Sequence, residues 1–141
     1  MDPIDFYKQA ATVSTFLGGV AFTALVIVLQ FPSIVRVGGI FSTPTQHYED
    51  IISVLALACV LLVVASSAMI LVGSGIATPS EVVGKIARWS FVGGGLLLIE
   101  SVPLLIYSSY LLGSLLVFFV GTPLYAYVMI TFIRRASKPT P

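Results

Sequence analysis

Apolar residues along this chain fall into four long runs, at 12–31, 51–72, 89–107 and 111–133. Short stretches holding most of its charges, prolines and paired glycines separate them. Each run is long enough for a helix to cross the roughly 30 Å hydrocarbon core of a bilayer. In the first, Ala11, Thr15, Gly19 and Thr23 recur at every fourth position, with Ser14 and Gly18 beside them. Such a stripe of small side chains suits close contact between helices. The middle of the second run holds another small patch, Ala65, Ser66, Ser67 and Ala68, and the third holds three consecutive glycines, Gly93 to Gly95.

The polar stretches carry helix punctuation. Pro32 ends the first run, and 33–42 is a linker centred on Gly38 and Gly39. Thr43, Pro44 and Gln46 then read as an N-cap, a first-turn proline and a capping partner, so the second helix begins outside the membrane. Gly73, Ser74 and Gly75 close it, and Thr78, Pro79, Ser80 and Glu81 repeat the capping pattern before the third helix. That helix starts about two turns before Trp89 reaches the membrane interface. Pro103 bends it, and Gly121 with Pro123 predicts a kink within the fourth span. The short turn at 108–110 makes the third and fourth helices antiparallel neighbours.

Composition sharpens this to a class. The chain is 57% hydrophobic and 9% charged, where a soluble domain carries about a quarter charged residues. The predicted fold is therefore an all-α integral membrane protein with four transmembrane helices, its spans forming a single helical domain. Six of the seven basic residues, Lys8, Lys85, Arg88, Arg134, Arg135 and Lys138, fall on the side of the termini, against Arg36 alone on the other. The positive-inside rule then makes both termini cytoplasmic in a multi-pass cell-membrane protein. The first eleven residues lack a basic n-region, so no removable signal peptide is expected. A net charge of +1 and the lack of a basic stripe exclude a nucleic-acid partner. Cys59 is the single cysteine and reads as a small apolar side chain.

Candidate chemistry is sparse. Glu100 is the one acid inside an apolar span. Burying such a charge costs about 2.5–3.5 kcal/mol on insertion scales, so intramembrane acids tend to be functional. Its bland reading is a structural acid answered by Ser66, Ser67, Thr23 or a tyrosine of the fourth helix. His47, Glu49 and Asp50 cluster where the second helix begins, but without a second His or Cys they make a weak metal signal. The glycine run is not a phosphate loop, having no strand before it and no Lys-Ser/Thr after it. Tyr107, Tyr110, Tyr125 and Tyr127 suit membrane interfaces better than a quinone or lipid pocket. No spacing brings a serine, a histidine and an acid together, so no enzyme activity and no cofactor are expected.

With the four spans in view, the chain resembles the Orai family, the pore subunits of store-operated calcium channels. STFLGGVAFTALVIVLQ has the rhythm of that family's pore helix, with Gly19 on its glycine and Lys8 near its inner basic segment. LLLIESVPLL is similar to the segment that carries its buried glutamate, which places Glu100 on that acid. The fourth span, with Pro123 and the ending FIRR, is similar to the family's proline-bent helix. Where the family has its calcium-selecting pore glutamate, Ile27 stands here, and Thr12 stands at its pore arginine. Calcium selectivity therefore does not carry over. The resemblance implies identical copies around an axis, the first helix inside and lined by Lys8, Thr12, Gly19, Thr23 and Ile27. Two other classes fit the lack of catalytic residues: a noncatalytic accessory subunit of a larger membrane enzyme, such as a respiratory oxidase or copper monooxygenase, and a tetraspan scaffold. The expected partners are the lipid bilayer and other membrane subunits, identical copies first.

Overall fold

The computed structural model describes residues 3–31, 44–79, 82–106 and 115–136. Among them there is helix and no strand: α1 Pro3–Gln30, α2 Pro44–Gly73, α3 Val82–Ile106 and α4 Thr122–Ala136, with a π-turn at Val117–Gly121 leading into α4. Three stretches, Ile4–Gln30, Tyr48–Gly73 and Val82–Leu105, are long and apolar enough to cross a membrane, and Phe118–Thr131 is a shorter apolar one. The architecture is that of a helical membrane protein. Helix α1 starts well before the apolar run at 12–31, because Phe6, Tyr7, Ala10 and Ala11 extend it with residues that also pack.

The punctuation acts where its chemistry requires. Helix α2 begins at Pro44, whose missing N–H is no loss in a first turn. It ends in a Schellman turn: the Ile76 amide donates to Leu71 O at 3.1 Å and the Gly75 amide to Val72 O at 3.1 Å. This turn needs a left-handed residue, and Gly75 supplies it with φ +77°. The interruption expected from Gly121 and Pro123 takes the form of the π-turn, which ends two residues before the proline that cannot donate to the ladder. Thr43, the linker 33–42, Ser80, Glu81 and the turn at 108–110 lie outside the described residues.

Helix α2 is the middle of the assembly, packed along its length on α1 and on α3, while α4 leans on α3 and α1 touches α3 only briefly. The core follows this order. Ala58, Leu62, Ala65 and Met69 of α2 meet Ala10, Ala11 and Ala21 of α1 and Ala87 and Phe91 of α3. Val28, Ile51 and Leu55 close the opposite end, with Leu98, Leu104 and Leu105 against them.

Leu62, fully buried, is the crossing point. Ser14 donates its hydroxyl to Leu62 O at 2.9 Å. On the other side, a Cβ built on Gly94 would stand 2.8 Å from Leu62 Cγ and 3.1 Å from Leu62 N. The glycine run thus works as a close-packing surface, and Gly95 likewise receives the Tyr125 hydroxyl of α4 in the space a side chain would fill. By contrast, a Cβ on Gly19 would meet nothing within 4 Å.

Two alanine substitutions should therefore differ in sign. Gly94→Ala gains up to about 1 kcal/mol of helix propensity but overpacks a backbone contact, at a cost of about 1–3 kcal/mol. Its unfolding midpoint in detergent is expected to fall. Gly19→Ala keeps the propensity gain alone, so its midpoint is expected to hold or rise. Equal behaviour of the two would show that the α2–α3 approach is looser than described.

Candidate functional site

The five residues expected to line an axis, Lys8, Thr12, Gly19, Thr23 and Ile27, come out on one exposed side of α1. Spacings of four and seven put them on a common helix face. Phe16 and Val20 flank them, at 69% and 43% exposure, and Ile27 is 45% exposed. The inner face of the same helix is Ala11, Ser14, Gly18, Ala21 and Val28, turned to α2. The small-residue stripe therefore splits: Ala11, Ser14 and Gly18 pack, while Gly19 and Thr23 face outward. Hydroxyls on the outward side are satisfied by their own helix, Thr12 donating to Lys8 O at 3.2 Å and Thr23 to Gly19 O at 2.8 Å. The face asks for no polar partner, and its small residues let another helix approach closely.

Glu100 sits half-buried in α3, with no hydrogen bond or ion pair to the described residues. The hydroxyls that the sequence offered as its partners are committed elsewhere. Ser66 pairs with Thr15 at 2.6 Å, Ser67 donates to Val63 O at 2.9 Å, and Thr23 stays on its own helix. Neighbouring Ser101 is buried and bonded to Leu98 O at 2.6 Å. Of the tyrosines on α4, Tyr125 is turned onto Gly95 and Tyr127 is 70% exposed, so the two do not line one pocket. Tyr107 and Tyr110 lie outside the described residues.

Glu49 and Asp50 are exposed on the first turns of α2, and the side chain of His47 lies outside the described part. Among the described residues no group of three or more metal-ligating side chains exists. Beside the π-turn, the Thr122 hydroxyl and the Tyr125 hydroxyl are both buried without a hydrogen-bond partner.

At the other end, a contact absent from the sequence reading ties three helices. Tyr7 of α1 is 1% exposed, and its hydroxyl interacts with the Arg88 guanidinium of α3. The stem of Lys8 lies across Gly73, at the close of α2, with its Cγ 3.1 Å from where a Cβ on that glycine would stand. A cation beside the last carbonyls of a helix is favoured by their partial negative charge. The sequence signal was slight: Tyr7, Lys8, Gly73 and Arg88 all fall just outside the predicted spans, on the side expected to be basic. Comparison with known proteins returns no family model, no curated protein and no solved structure that matches this chain.

The unanswered acid gives a prediction with a definite sign. Glu100→Leu removes an intramembrane carboxylate whose insertion costs about 2.5–3.5 kcal/mol and orphans no described partner. Its thermal midpoint in detergent is expected to rise. A fall of the size seen on breaking a buried pair, about 3–5 kcal/mol, would mean that Glu100 is paired.

Proposed function

We propose that this protein is a homo-oligomeric, Orai-like ion channel or channel-like protein. Four spans cross the cell membrane with both termini cytoplasmic, and α1 lines a central axis. The observation that supports this reading is the open side of α1. Thr12, Gly19, Thr23 and Ile27 form a continuous face that no other described helix covers, while α2 and α3 stand behind it and α4 lies farthest out. Identical copies that bring these faces together place α1 at the centre and α4 at the rim. Lys8 then stands at the inner mouth, Thr12, Gly19 and Thr23 give a narrow small-residue passage, and Ile27 closes it as an apolar ring that gates by excluding water. Glu100, behind that wall on α3, is an acid whose protonation or contacts bias the position of α1. The ring carries no acidic selectivity site, so calcium preference is not part of the proposal.

Two measurements test it together. Extraction in mild detergent is expected to yield a closed ring of one kind of chain, and the same material in liposomes to pass small ions. Ile27→Ser is expected to raise that flux about tenfold by wetting the constriction, with Glu100→Gln altering flux while the ring persists. Copurification with haem- or copper-bearing subunits, in place of a ring, would favour the accessory role and end the channel reading. Flux unchanged in Ile27→Ser would remove α1 from the axis.

A further inference from the structure

Beside the face just described, about a quarter turn round α1, a groove runs along the seam between α1 and α2. Its outer part is a cleft of about 330 Å³ that includes Lys8, Ala11, Thr12, Thr15, Gly73 and Ser74. Its deeper part, about 370 Å³, is floored by Gly18, Cys59, Leu62 and Ser66 and reaches Phe22. Thr15 lines both, so the two parts adjoin along the seam. We propose that it binds one anionic phospholipid, with an acyl chain in the groove and the phosphate on Lys8.

Three features select this occupant. The first is chemical. The groove is rich in hydroxyls, yet each is already bonded: Ser14 to Leu62 O, Thr15 to Ala11 O and Ser66, Ser67 to Val63 O, Ser74 to Leu71 O. What remains is a shallow trough of small, internally satisfied side chains, which suits hydrocarbon and offers an ion or a sugar no free ligand. The second is length. From Lys8 to Phe22 the helix rises about 21 Å, enough for an acyl chain that spans one leaflet of about 15 Å. The third is charge. Lys8 is exposed at the open end, and its stem is turned over Gly73 toward the groove. A headgroup phosphate beside this cation is attracted, and a zwitterionic lipid much less so.

The full chain, purified in mild detergent, is offered phosphatidylglycerol, phosphatidylcholine or inorganic phosphate, and retained lipid per chain is read by native mass spectrometry. One phosphatidylglycerol per chain is expected, with about fivefold preference over phosphatidylcholine, the effect of one basic residue near an anionic headgroup. Inorganic phosphate is expected not to be retained. Lys8→Gln is expected to lose the preference while keeping some lipid. Ser67→Leu, which fills the trough, is expected to lose both, whereas Ser53→Leu, exposed on α2 outside it, changes nothing. Val63→Phe at the cleft's exposed rim is a second filling variant should Ser67→Leu fail to fold. Equal retention of both lipids by the wild type would overturn the proposal. So would a preference that survives Lys8→Gln, or occupancy that survives both filling variants.

Discussion

Three helices meet at Leu62 with almost no side chain between their backbones. Inside a bilayer the hydrophobic effect does not drive helices together, because lipid tails are as apolar as leucine. Association rests on close van der Waals contact and on hydrogen bonds between helices. Both are concentrated here: Gly94 lets α3 approach the Leu62 amide, and the Ser14 hydroxyl ties α1 to the Leu62 carbonyl. One turn along, Thr15 and Ser66 add a second bond across the same seam at 2.6 Å.

A consequence of hanging the fold on the middle of α2 is that only α2 and α3 have helix neighbours on both sides. Helix α1 spends Ala11, Ser14 and Gly18 on α2 from one side and leaves the other side open. Helix α4, joined through the π-turn, leans on α3 by the Tyr125 contact at Gly95. The open side of α1 is therefore a product of the chain's own packing order. It is the surface on which the channel proposal and the lipid groove both depend, with Lys8, Thr12 and Gly19 common to the two.

Much of this was legible from residue types whose effect is local. Proline and glycine act on their own backbone, so the start of α2 at Pro44, its end at Gly75 and the break before Pro123 could be read directly. The role of Gly94 was also legible, since consecutive glycines in an apolar run have few uses other than close packing. The direction of each face was not. Helices apolar all round carry no amphipathic signal, so nothing in the sequence told Gly18, which packs, from Gly19, which does not. Hydroxyl partners were equally hidden. Ser66 and Ser67 looked like answers to Glu100, but a serine in a helix can satisfy itself on the preceding turn, as Ser67 does, or meet whichever helix lies opposite. The contact of Tyr7 with Arg88 depends on helices brought together only by the fold.

The central claim, that copies of this chain meet through the open face of α1, is tested most directly by cysteine crosslinking in the membrane. With Cys59, the lone native thiol, replaced by alanine, single cysteines are placed at Thr12, Gly19, Thr23 and Ile27, and at Leu124 and Val128 on α4. Covalent dimers at the four α1 positions, and none at the two α4 positions, is the predicted result. Dimers confined to α4, or none at any α1 position, would contradict the account.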